Sequence, residues 1–207
     1  MGLLHLLLNQ PATFLLLAVP LLYSIVIHEL AHGWAAWRMG DDTAKRLGRL
    51  SLNPIRHIDP LGTLMLFIFG FGWAKPVPVN FSRLRDLRRG LVFVSAAGIV
   101  ANMLLAFAAL FVHRLLAPPP RGVLWTVLYF VAQINIMLAA FNLIPIPPLD
   151  GAKILLGFSS GGLQRLLLRL ERYGFFIVIG LLYFGVLDPL IDLFRGIILT
   201  VIRLFLP

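Results

Sequence analysis

The chain has 207 residues, of which 59% are hydrophobic and 13% charged, with 18 Lys+Arg, 9 Asp+Glu and a net charge of +9. Soluble domains carry about 25% charged residues, so this composition excludes an ordinary soluble domain and implies a polytopic membrane protein. The absence of Cys excludes disulfides and thiolate metal sites, and basic residues confined to loops between apolar runs argue for membrane topology and against a nucleic-acid partner.

Residues 1–27 hold no Lys, Arg, Asp or Glu. The N-terminus lacks the basic segment of a signal peptide, and Leu6 stands where myristoylation of Gly2 needs Ser or Thr, so the first apolar run is expected to be retained. Pro11 is expected to open a helix running to about Gly40, with Pro20 as a candidate kink. Residues 38–59 form a polar, basic connection, in which "RLGRLSLNP" alternates weakly and predicts a short strand. Residues 60–73 are apolar but fewer than the ~20 a spanning helix needs. Residues 74–90 start extended, because their prolines forbid helix, and then turn basic. Residues 91–112 and 122–144 are uncharged spans of bilayer length, 152–172 are basic and amphipathic, and 173–206 are an apolar pair broken by "LDPL". The expected fold is an all-α polytopic membrane bundle of about four to six membrane segments with a short re-entrant, β-like element. It forms one domain over 1–207, with a core from about 12 to 155 and C-terminal membrane segments over 156–207.

Charge sets the expected topology. Arg38, Lys45, Arg46, Arg49 and Arg56 precede the short run at 60–73, and Lys75, Arg83, Arg85, Arg88 and Arg89 follow it. A crossing would place one cluster outside, against the positive-inside rule. The run is therefore expected to re-enter or to form a short packed helix, with both clusters in the cytosol. Arg114 and Arg121 mark an outside loop, and Lys153, Arg165, Arg169 and Arg172 return to the cytosol. This describes a multi-pass protein of a plasma or inner cell membrane.

"HELAH" at 28–32 carries the chemistry. Positions i and i+4 share a helix face, so His28 and His32 can present two ring nitrogens to one Zn²⁺, one ion per chain. Glu29, beside the first ligand, is placed to take a proton from water acidified by the metal. A catalytic zinc site needs a third protein ligand. Asp41, Asp42, Asp59 and Asp86 lie in loops, and Glu171, Asp188 and Asp192 near the ends of apolar runs. Asp150 differs: it follows an uncharged span within "NLIPIPPLDG", where three prolines break the helix. Irregular backbone at membrane depth is tolerated only in protein or beside a wet cavity, and a carboxylate there calls for a cation; the alternative is a turn Asp before Gly151. His57 is either a residue of the substrate or metal side or a loop histidine. Asn102, Asn135 and Asn142 either face substrate or hydrogen-bond between helices.

"HELAH", "NPIRHIDPLGT" (53–63), "GFGWAKPVPVN" (70–80) and "NLIPIPPLDG" (142–151) together resemble the site-2 protease family of intramembrane zinc metalloproteases, in its small prokaryotic form without PDZ or CBS domains. The resemblance covers about residues 20–155. It implies that His28, His32 and Asp150 bind zinc, that Glu29 is the general base, and that the site faces the cytosol. It implies a substrate contact at Asn102, in "AAGIVAN", with Asn135 and Asn142 in the matching helix. The extended segment with Val77 and Val79 is expected to pair with an unwound substrate. The implied activity is regulated intramembrane proteolysis of a transmembrane protein or peptide within the bilayer, with a regulatory membrane partner left open. A metal transporter using the same three ligands and an inactive helix-binding protein are the competing readings.

Overall fold

The computed structural model describes residues 3–69 and 72–206. Gly2, with its myristoylation question, and Gly70 and Phe71 of the short apolar run and the extended segment lie outside them. Among the described residues there are ten α-helices and no strand. Helix α1 (Leu3–Asn9) leads into α2 (Pro11–Arg38), which has Pro11 in its first turn and continues through Pro20. After α3 (Thr43–Arg46) and α4 (Pro60–Phe69) comes the long α5 (Leu87–Leu116), capped by Asp86, whose Oδ1 accepts from the Arg89 N–H at 3.1 Å. It stops at Ala117, in the left-handed region at φ 40°, before three prolines. Helix α6 (Val123–Leu143) ends just ahead of Pro145, and α7 (Asp150–Phe158), α8 (Gly161–Glu171), α9 (Gly174–Tyr183) and α10 (Asp188–Phe205) complete the chain.

Helices α5 and α6 pack along each other, α2 lies against both, and α7 lies against α5. The main core joins Ile99 and Ala106 of α5, Ile136, Ala139 and Ala140 of α6, and Ile198 and Ile202 of α10. Alanines at these contacts let the helix backbones approach closely, which is how helices associate where lipid is as apolar as the side chains. A second cluster, Ile144, Leu149, Val178, Leu187 and Ile191, seats α9 and α10 under the break between α6 and α7.

Helices α2, α5 and α6 are each long and apolar enough to cross a membrane, and α9 with α10, bent by 93°, make a fourth span if counted together. The protein is an all-α polytopic membrane protein, and the lower end of the expected four to six membrane segments is reached only with the bent pair. The 28 residues of α2 extend about 42 Å, beyond the ~30 Å hydrocarbon core.

The short apolar run is a helix, α4, of ten residues. At about 15 Å it is too short to span; it packs on α1, and its Phe67 stacks on Phe14 in the first turn of α2 at 6.0 Å. Its flanks meet at one end of the molecule. Asp42 Oδ1 pairs with Arg46 at 3.1 Å and Arg83 at 3.3 Å, and the Arg85 N–H donates to Met39 O at 3.0 Å. The two basic clusters therefore sit together.

The strand expected over 46–54 does not form. Gly48 turns the chain at φ 63°, and Asn53 accepts from the Ile55 N–H at 3.0 Å, so local side-chain bonds replace a ladder. The expected β-like element is irregular backbone over 72–80, an arm with no strand partner among the described residues.

Candidate active site

Ser24, His28 and His32 recur every fourth residue and are the buried polar face of α2. His32 Nδ1 donates to the Val94 carbonyl of α5 at 2.7 Å. His28 Nδ1 meets Asn102 Oδ1 at 2.5 Å. Asn102 spends its amide N–H groups on Asn135 Oδ1 (2.6 Å) and the Ser24 carbonyl (3.4 Å), so its Oδ1 is the acceptor and His28 Nδ1 the donor. Asn135 in turn donates to Ser24 Oγ and the Val131 carbonyl, both at 2.8 Å. Both imidazoles thus carry their proton on Nδ1 and a lone pair on Nε2.

Those two Nε2 atoms lie 2.9 Å apart, and Asp150 Oδ2 lies 3.2 Å from that of His28 and 3.0 Å from that of His32. Asp150 Oδ2 is buried with no hydrogen-bond donor. Three acceptor atoms converge with no proton between them, an arrangement that repels itself unless it shares a cation. Ligand atoms around tetrahedral zinc, at bonds of about 2.0–2.1 Å, stand about 3.3 Å apart, close to the observed spacing. The donor set therefore fits a metal ion. Lys153, one turn along α7, brings its ammonium to 3.6 Å from the other oxygen, Asp150 Oδ1.

Two glycines make this convergence possible. A Cβ on Gly98 would stand 2.5 Å from His32 Nε2 and 2.6 Å from His28 Cε1, so α5 reaches the imidazoles only because that position is bare. A Cβ on Gly151 would collide with the carbonyl oxygens of Leu143 and Ile144, so the chain can fold back after α6 and start α7 with Asp150 at the cluster.

Glu29 does not join the three-atom cluster. Its Oε2 accepts from the Val77 N–H of the arm at 2.8 Å. The cluster, Glu29, Asn142 and Lys153 line one cavity of about 470 Å³. A second, apolar cavity of about 610 Å³ adjoins it, sharing Trp73, Phe141 and Leu149, and extends between α2, α4 and α9.

Asn102 and Asn135, expected at substrate or between helices, are fully buried behind His28 and serve the interhelical network. Asn142 lines the cavity and donates to Leu138 O of its own helix at 2.9 Å. Val77, expected on a free edge, is buried with its N–H engaged by Glu29, and Val79 packs beside Ala36, Leu84 and Val94. Among the described residues the Val79 N–H and the Val77 and Pro78 carbonyls make no hydrogen bond within the chain. His57 is buried in the wall of the apolar cavity, away from the cluster; its Nε2 donates to Ser51 O and its carbonyl accepts from the Lys75 N–H, each at 2.8 Å.

Sequence reasoning missed Ser24, Gly98, Lys153 and Asp41. Ser24 was visible as the same four-residue step one turn earlier. Asp41 is fully buried beyond the end of α2, where Oδ2 accepts from the Asn80 N–H at 2.6 Å and Oδ1 from Thr43. Burial pushes this carboxyl up, but the bonds from Thr43 and Asn80, with nearby Arg83, hold it below the usual carboxylate range.

A model of peptidase family M50 matches residues 117–184, a stretch that includes Asn135, Asn142 and Asp150. "Putative zinc metalloprotease YwhC" of Bacillus subtilis is 40% identical over 174 residues, covering 78% of this chain and 77% of that protein. Two mycobacterial proteins named Rip2 are also similar. The one from Mycolicibacterium smegmatis is 31% identical over 84% of this chain and 69% of its own length; the one from Mycobacterium tuberculosis H37Rv is 35% identical over 87% and 74%. No solved structure matches. With the geometry of the site, these similarities establish that the chain belongs to the family its motifs resemble, the zinc metalloproteases of peptidase family M50.

Proposed function

We propose that this metalloprotease cuts peptide bonds of transmembrane or membrane-associated helices, in regulated intramembrane proteolysis. The observation that carries the reading is the meeting of His28, His32 and Asp150 with Glu29 around one cavity, on a helix long and apolar enough to cross a bilayer. His28 and His32 through Nε2 and Asp150 through Oδ2 would hold one zinc ion. Zinc bound there supplies Lewis acidity, acidifying water and polarising the scissile carbonyl. Glu29 accepts a proton from the attacking water and delivers it to the leaving amine as the C–N bond breaks. The Nδ1–H bonds to Asn102 and Val94 keep both imidazoles in the tautomer that ligates.

The adjoining apolar cavity suits an apolar chain arriving from the bilayer, while Asn142 and the free polar groups of Val77, Pro78 and Val79 offer hydrogen bonds to its unwound backbone. The basic residues gathered around Asp42 support a cytosolic location for that end of α2 in a plasma or inner membrane. His28 lies ten residues, about 15 Å, before the end of α2 at Arg38, so the site sits toward the cytosolic side.

The test is Glu29→Gln in purified protein with a transmembrane substrate. Bound zinc should stay at one per chain, while cleavage falls about 10²- to 10⁴-fold. Normal cleavage by Glu29→Gln would refute the mechanism. Peptides that accumulate in membranes of the Glu29→Gln strain would name the substrate.

A further inference from the structure

The base and the metal ligands are held by different groups, and the arm accounts for the base. Glu29 Oε2 accepts one backbone hydrogen bond, from the Val77 N–H at 2.8 Å. Pro76 and Pro78 flank that residue and have no N–H, so Val77 is the one backbone donor between Lys75 and Val79. A following proline also biases both Lys75 and Val77 toward extended backbone, which narrows the direction in which the Val77 N–H points.

The arm is pinned on both sides of this donor. Before it, the Lys75 N–H donates to His57 O at 2.8 Å, and Arg49 Nη2 donates to the carbonyls of Lys75 at 2.9 Å and Pro76 at 3.2 Å. After it, the Asn80 N–H donates to the buried Asp41 at 2.6 Å. The Val77 side chain is buried beside Gly33, one turn beyond Glu29 on α2; a Cβ on Gly33 would stand 2.8 Å from Val77 Cγ1. None of these pins involves the histidine–aspartate cluster.

We propose that the Val77 amide is the positioning group of Glu29, and that the Pro-Val-Pro arm, set by Arg49 and Asp41, holds the base at its working place beside the metal cluster. The proposal rests on Glu29 being the base. A carboxylate on a long side chain has several rotamers, and a small displacement of a reacting group lowers turnover steeply. One fixed donor selects a single rotamer while leaving the other oxygen, Oε1, for the proton.

Amide hydrogen exchange tests the contact without cleavage. In detergent-solubilised, zinc-loaded full chain, exchange at Val77 should rise about 10- to 100-fold in Glu29→Ala, with Lys75 unchanged. Unchanged exchange at Val77 would overturn the proposal. Kinetics test the role. Val77→Pro deletes the N–H and should lower kcat about 10- to 100-fold with zinc content held, whereas Val77→Ala keeps the N–H and should lose less. Equal losses in the two variants, or wild-type kcat in Val77→Pro, would overturn it. If Val77→Pro does not fold, Arg49→Met replaces it: faster exchange at Val77 with lower kcat supports the arm, and unchanged exchange with unchanged kcat refutes it. Zinc-loaded wild-type protein that cuts no membrane substrate would remove the proteolytic reading, while exchange would still decide whether Val77 holds Glu29.

Discussion

His28 and Glu29 are neighbours in sequence, yet two different regions hold them. The histidines are fixed inside the bundle by a closed network across α2, α5 and α6, in which Ser24, Asn102, Asn135 and the Val94 carbonyl leave no choice of tautomer. The glutamate, on the same helix and lining the same cavity, is held by one amide of an irregular, proline-flanked arm. The difference suits the work proposed for each. A ligand set must keep its geometry in every state, which favours rigid helices and satisfied buried polar groups. A general base must exchange a proton between water and a leaving group, which favours a side chain held at one oxygen only.

Cutting into the helical side should produce the larger losses. Asp150→Asn removes the carboxylate charge at the point where three acceptors meet, so bound zinc should fall toward zero by metal analysis; full stoichiometry would remove Asp150 from the ligand set. Asn102→Ala leaves His28 without its Nδ1 acceptor and should weaken zinc about 10- to 100-fold in a chelator competition, with kcat little changed once zinc is saturating. Gly98→Ala adds a methyl group against both imidazoles and should destabilise the fold by about 1–3 kcal/mol, read as a lower Tm in zinc-free protein.

On the arm side the effects should be smaller and should depend on pH. Asp41 has a carboxyl pKa lowered in the folded state, so its contribution to stability is complete above the ordinary carboxylate range and is lost as pH falls through its depressed value. Protection of the Asn80 amide, measured against its intrinsic exchange rate at each pH, should therefore hold above about pH 4 and fall only in stronger acid. In Asp41→Asn that acid-dependent change should disappear. Asn80 exchange with the same acid dependence in Asp41→Asn would show that another group holds this end of the arm.

Much of the site was legible before folding because its signals are local or expensive. The four-residue step of His28 and His32 places both rings on one helix face in any context. Asp150 stood out because an acid after an uncharged span, among Pro145, Pro147 and Pro148, needs a reason to be there. That the run at 60–73 holds only a helix too short to span was also foreshadowed by its length. The strand expected over 46–54 was misread because weak alternation carries less weight than a turn at Gly48 and the local bonds of Asn53.

The sequence alone therefore determined the membrane class and singled out His28, His32 and Asp150 as a candidate metal set with Glu29 beside it, since composition and short-range spacing act wherever the chain goes. Only the tertiary structure decided which partner each polar group took. Asn102 turned to His28, 74 residues away; Val77 turned its N–H to Glu29, 48 residues away; Gly98 proved to be the gap through which α5 meets the two imidazoles. An amide or a backbone N–H has no fixed partner in sequence. Its choice depends on which acceptor packing brings within about 3 Å, and that is a property of the assembled bundle.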